Sequence, residues 1–283
     1  MILASITWNA DPEIFRIGGF AIRWYGLFFA LSFYLGYLIM ERIFKKEDVP
    51  LPLLDSLATY MIIATVIGAR LGHVLFYQPG EYFAHPLDIL KIWEGGLASH
   101  GAAIALPFAI WLFSRKHKKS FFWTIDRIVI VVALAGFFIR MGNLMNSEIY
   151  GTTTNLPWGF IFVREPDKLT MGYGLPHHPT QIYEALAYLA IFAYLLWYYI
   201  KKNGKTLGGY LFSMFLILVF GVRFLVEFIK LPQITQVKEA QYFIFEDEQK
   251  YILDLGQILS IPLILGGFFI LWYIHQKKTA TIE

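Results

Sequence analysis

The sequence predicts an all-α membrane protein, a polytopic bundle of about seven transmembrane helices with small extracytoplasmic elements, N-terminus outside and C-terminus inside. Three observations lead there. Of 283 residues, 57% are hydrophobic and only 16% are charged, where a soluble domain carries roughly 25% charged residues. No soluble core needs that much apolar surface, so most of it must face lipid. Seven apolar stretches approach the roughly 20 residues that a bilayer requires: 25–40, 54–77, 97–113, 122–145, 181–200, 207–229 and 255–275. Finally, basic residues crowd every second connection, as cytoplasmic loops require. They are Arg42, Lys45 and Lys46; Arg115, Lys116, Lys118 and Lys119; Lys201, Lys202 and Lys205; and Lys277 with Lys278.

Each remaining element follows from that frame. The chain reads as one integral membrane domain over 1–283, with extracytoplasmic loop regions at 146–180 and 231–254. Residues 1–19 do not read as a cleaved signal peptide, because they lack a basic start and contain Asp11, Pro12 and Glu13. Alternation around Gly18 and Gly19 predicts a small hairpin over 14–25, and 85–93 reads as a short interfacial helix. Trp24 and Trp93 suit interfacial anchors. The net charge of +3 is too small to argue for nucleic acid. With no cysteine, disulfides, thiolate metal sites and a cysteine nucleophile are all excluded, so a reacting thiol must come from a substrate.

Ionisable groups inside a span cost about 2.5–3.5 kcal/mol each at its centre, so each needs a reason. Arg70, Arg140 and Arg223 fall late in outward-running spans. Tyr25, His100, Gln181 and Glu184 fall at or near the starts of inward-running ones. All therefore lie in the outer half of the bilayer, and no matching polar residues are found in the inner halves of the spans. Arginine suits phosphate, since its planar fork binds phosphate oxygens in pairs and stays charged. An anionic phospholipid is the obvious ligand. For Arg70 a second reading stands beside this one, because Gly68 and Gly72 form a small-residue packing face around it. For Arg223, Glu227 lies one turn on and suits a neutralising partner, whereas Arg140 has no acidic neighbour before Glu148. Asn143 and Asn146 follow Arg140 at helical spacing, and Gly142 leaves room for close approach.

The stretch R-M-G-N-L-M-N-S-E-I-Y-G, from Arg140 to Gly151, resembles the signature of the prolipoprotein diacylglyceryl transferase family. R-W-Y-G-L from Arg23, G-A-R-L-G-H-V-L-F-Y from Gly68, W-E-G-G-L-A-S-H-G from Trp93, H-P-T-Q-I-Y-E from His178 and R-F-L-V-E-F from Arg223 carry the same likeness in the family's order. Two departures are visible. Gly101 is followed by Ala102 where the family often has a second glycine, and Phe220 precedes Gly221 where it often has tyrosine.

The resemblance implies a bacterial inner-membrane enzyme with its site on the extracytoplasmic side. It would move the diacylglyceryl group of phosphatidylglycerol to the cysteine thiol of a prolipoprotein signal peptide, without a cofactor. His100, Arg140 and Arg223 would be catalytic. Tyr25, Arg70, Asn143, Asn146, Glu148, Gly151, His178, Gln181, Glu184 and Glu227 would bind substrate. Histidine, with a reference pKa of about 6.5, suits a base toward a thiol of about 8.5, although a structural, hydrogen-bonded His100 is the plainer alternative. A lipid flippase would need a polar route to the inner leaflet. No H-E-x-x-H, G-x-S-x-G or paired aspartates mark a protease, and the histidines lack metal-ligand spacing.

Overall fold

A β-hairpin opens the described chain's helical part. Strand β2 (Glu13–Ile17) pairs antiparallel with β3 (Phe20–Arg23) across Gly18, whose φ of 59° is one that glycine tolerates. The sequence thus placed this hairpin correctly. Strand β1 (Ile6–Trp8) precedes it. The computed structural model describes residues 5–92, 95–96, 98–164, 174–231, 253 and 255–280. Trp93, part of the 146–180 region and nearly all of 231–254 lie outside the described residues.

Helices α1 (Trp24–Lys46) and α2 (Leu51–Phe76) follow, then a short α3 (Pro79–Ala84) and a 3-10 turn at Pro86–Leu90. The interfacial helix expected over 85–93 is therefore split and begins earlier, because Pro79 and Pro86 each start a new turn. Helices α4 (Ser99–Lys116) and α5 (Phe121–Met145) come next. Strand β4 (Phe160–Phe162) interrupts the long connection to α6 (Thr180–Lys201), α7 (Tyr210–Glu227) and α8 (Leu255–Ala280).

Six of these helices, α1, α2, α5, α6, α7 and α8, are long and apolar enough to cross a membrane. Seven were expected, and α4 is the one not among them. It is only 18 residues long, and Ser99, His100, Ser114, Arg115 and Lys116 dilute its apolar character.

Four helices end by one device. Val49 N–H reaches Phe44 O (2.9 Å), Lys119 N–H reaches Ser114 O (3.0 Å), Glu148 N–H reaches Asn143 O (3.1 Å) and Gly204 N–H reaches Tyr199 O (3.0 Å). In each, the preceding residue has a left-handed φ: Asp48 at 53°, Lys118 at 53°, Ser147 at 55° and Asn203 at 50°. This six-to-one bond satisfies carbonyls that a helix end would otherwise leave orphaned. Three of these ends lie in the basic connections, where Arg115 stands over Trp111 and Lys201 over Trp197 at 5.3 and 4.6 Å. The fourth ends α5.

Contacts divide the chain into two compact units, 1–36 with 129–283 and 37–128. In the first, α7 packs along α8 and against α6. There β1 pairs in parallel with β4, and Trp8, Leu144, Tyr150, Phe160 and Phe162 share a small core. In the second, α2 packs along α4. A methyl on Gly72 would lie 2.6 Å from Gly101 Cα, and one on Gly68 would lie 2.8 Å from Gly101 O, so the two backbones cross in direct contact.

One expectation needs correction. Asp126 and Arg127, near the start of α5, are buried within a span half in which no matching polar residues were expected. Arg127 pairs with Glu47 at 3.0 Å, and Trp123 Nε1 donates to the same carboxylate at 2.8 Å. The partner carboxylate comes from just past the end of α1, which hydropathy along a single span cannot reveal.

Candidate active site

The end of α5 supplies Arg140 and Asn143, and the turn after it is strained. Ser147 and Ile149 both have positive φ, 55° and 61°. For β-branched Ile149 this costs on the order of 1–3 kcal/mol and persists only where surrounding structure imposes it. The first turn of α6 does so: Gln181 Nε2 donates to Glu148 O at 2.7 Å, and Thr180 Oγ1 donates to Ile149 O at 2.9 Å. Gly151 then runs antiparallel to Lys230, with its N–H donating to His178 O at 2.8 Å. A β-carbon there would collide with Ile229 O and lie 2.8 Å from His178 Cβ, so the position needs glycine for room.

Side chains converge on this frame. Arg140 Nε lies 2.9 Å from Glu184 Oε2, and its Nη2 donates to Oε1 at 3.1 Å. Its Nη1 donates to Asn143 Oδ1 at 3.2 Å. Asn143 and Asn146 in turn donate to one oxygen of Glu148, at 2.8 and 3.2 Å. Glu184 is fully buried, and a buried carboxylate is costly unless paired. It also accepts from Tyr188 OH at 3.2 Å and faces Lys230 Nζ at 3.9 Å. Lys230 sits 3.3 Å from Glu227 Oε2. Burial pushes the Lys230 ammonium below its usual pKa, against the pull of Glu184 and Glu227, and Arg140 and Arg223 add to the lowering. Arg223 is half-buried and makes no hydrogen bond or ion pair among the described residues. Three cations, Arg140, Arg223 and Lys230, thus meet three carboxylates, Glu148, Glu184 and Glu227. Tyr25, at the start of α1, lays its ring over Gly142, where a β-carbon would lie 2.7 Å from it.

Most of the expected residues therefore come together in one unit: Tyr25, Arg140, Asn143, Asn146, Glu148, Gly151, Gln181, Glu184, Arg223 and Glu227. His178 stands at the rim, its Nδ1 3.3 Å from Tyr183 OH. Burial, and then neighbouring His177, hold its imidazole below the usual value. Two readings change. Arg140 does have an acidic partner, Glu184 from α6, and Glu227 is held by Lys230 rather than by Arg223.

Arg70 and His100 belong to the other unit. Arg70 is buried and donates to four backbone carbonyls, those of Asp88 (2.5 Å), Gly95 (2.8 Å), Ile89 (2.9 Å) and Gly96 (3.2 Å). His100 lies edge-on to Phe76 at 5.2 Å and beside Tyr77 at 5.6 Å, with no hydrogen-bond partner among the described residues. Among the described residues no group of three His, Asp or Glu could hold a metal.

Lys230, Tyr188 and His177 were not foreseen. Lys230 hid because a lysine just past a span reads as an ordinary flank. Tyr188 carried a usable signal, its place four residues after Glu184. His177 Nδ1 donates to Gly151 O at 2.8 Å, and no spacing announces that contact.

Apolar helices long enough to cross a membrane, with a buried cluster of paired charges among them, define a polytopic membrane protein with a polar site inside its bundle. A family model described as prolipoprotein diacylglyceryl transferase matches residues 12–273. The phosphatidylglycerol–prolipoprotein diacylglyceryl transferase of Tolumonas auensis is 48% identical over 272 residues, covering 96% of this chain and 98% of its own length. Those of Porphyromonas gingivalis and Chloroherpeton thalassium are 42% and 41% identical, with coverage of 95% and 98% of this chain and 94% and 97% of theirs. The chain belongs to the prolipoprotein diacylglyceryl transferase family.

Proposed function

We propose that this protein transfers the diacylglyceryl group of phosphatidylglycerol to the thiol of a prolipoprotein signal-peptide cysteine. It works as one membrane domain of seven spans, α4 included, in the bacterial cytoplasmic membrane. The N-terminus is outside, the C-terminus inside, and the site opens to the extracytoplasmic face. The four basic connections support that orientation, and the family supports the reaction. The observation that carries the chemistry is Arg223, a half-buried guanidinium without a counter-ion among the described residues, beside the Arg140 network.

In the reaction, the thiolate sulfur attacks the glyceryl carbon, a carbon–sulfur bond forms, and the carbon–oxygen bond to phosphate breaks. Glycerol phosphate leaves, and the thiol proton passes to a base, the role we give His100. A phosphodiester carries one negative charge and its departing monoester approaches two. Arg140 and Arg223 therefore attract the transition state more than the ground state, which is the requirement for catalysis. Glu184 keeps Arg140 oriented, and Asn143 and Asn146 hold Glu148, to which we assign the substrate hydroxyls. Gln181 and Gly151 maintain the turn, His178 and Tyr25 line its rim, and Arg70 shapes the loop before His100.

Purified protein incubated with phosphatidylglycerol and a cysteine-containing signal peptide should add one diacylglyceryl mass to the peptide. An unchanged peptide mass, with the protein folded and both substrates present, rules the reaction out.

A further inference from the structure

On α7, Arg223 and Glu227 stand four residues apart, the spacing at which opposite charges pair along a helix. They do not pair. Glu227 Oε2 instead faces Lys230 Nζ at 3.3 Å, and Arg223 keeps no partner among the described residues. Lys230 has little choice of position. Its side chain is 2% exposed, its main chain bridges to Gly151, and Leu231 N–H donates to Tyr150 O at 3.2 Å. Glu227 is confined as well, since a β-carbon on Gly256 would lie 2.6 Å from its carboxyl carbon. Lysine is a compact charge without a planar fork, suited to standing between two carboxylates such as Glu184 and Glu227.

We propose that Lys230 is a positioning residue that draws Glu227 away from Arg223 and so keeps the Arg223 guanidinium open to the phosphate of the lipid substrate. Without Lys230, Glu227 turns to its helical neighbour, and the incoming phosphate must compete with a carboxylate already in place. This rests on the phosphate-binding role given to Arg223 above. The effect belongs to lipid binding, so it falls on KM for phosphatidylglycerol more than on kcat.

The test is a double-mutant cycle in reconstituted full-length protein, reading KM for phosphatidylglycerol. Lys230→Met should raise KM about tenfold in the otherwise unaltered protein and less than about twofold in a Glu227→Gln background, because the competing charge is then gone. Lys230→Arg, which keeps the charge, should hold KM within about threefold of the parent. Equal fold-changes in both backgrounds overturn the proposal. If Lys230→Met alone does not accumulate, the Lys230→Met/Glu227→Gln pair, which buries no lone charge, still decides. A KM matching Glu227→Gln supports the proposal, and one about tenfold higher overturns it. Arg223→Ala separates the two ideas. An unchanged KM and kcat there remove the phosphate role itself, whereas a loss in either with an additive cycle removes only the role of Lys230.

Discussion

Two arginines on α5 meet carboxylates in different ways. Arg127, near the start of the helix, faces Glu47, and Trp123 both donates to that carboxylate and lies under the guanidinium at 5.0 Å. Arg140, near the end, faces Glu184, but that carboxylate also serves Tyr188 and Lys230, and the network runs on through Asn143 to Glu148 and through Lys230 to Glu227. The first arrangement fastens a helix start to the end of its neighbour. The second distributes charge over side chains from three helices and leaves Arg223 over. Both pairs are buried; the second differs in joining side chains of α5, α6 and the segment just past α7 through one carboxylate.

That contrast can be broken by experiment. Arg127→Ala leaves Glu47 without its arginine, and breaking such a buried pair costs about 3–5 kcal/mol. The expected result is a lower thermal midpoint with kcat retained in the folded fraction. A selective loss of kcat would erase the distinction. Arg140→Ala should invert the pattern, lowering kcat by about 10²–10³, the scale of one lost transition-state donor. Near-parental transfer by that variant would return Arg140 to a purely structural role. Gly151→Ala should lower stability by about 1–3 kcal/mol, the cost of overpacking against Ile229 O and His178 Cβ. Thermal unfolding of the purified variant measures it.

The smallest effect is that of pH on His178. Its folded pKa is depressed by burial and by His177, and unfolding restores the ordinary value. Between the two, the unfolded chain binds more protons, so the contribution is present above the usual imidazole range and is lost as pH falls toward the lower folded value. A thermal midpoint followed across that window should slope in the parent protein and slope less in His178→Gln.

Apolar runs and the hairpin at Gly18 were legible because they are local. The same holds for the row Arg140, Asn143 and Asn146, since helical spacing is written into the chain. What escaped was non-local or conformational. Glu184 reaches Arg140 from another helix, and nothing near Arg140 points to it. The four carbonyl partners of Arg70 carry no sequence signature at all. Asp48, Lys118, Ser147 and Asn203 take left-handed conformations where glycine would be expected, so a glycine search passes them by. β4 hid in a loop because strand β1 supplies its pairing from the far end of the unit's sequence.

The glycine seam between α2 and α4 acts as a mechanical stop. Gly68 and Gly72 flank Arg70, and Gly101 follows His100, so main chain resting on main chain gauges the distance between the loop Arg70 holds and the imidazole of His100. Side chains flex through rotamers, but two abutting backbones have almost no slack. A single added methyl at Gly101 would jack the helices apart, resetting that gauge while every polar residue kept its identity.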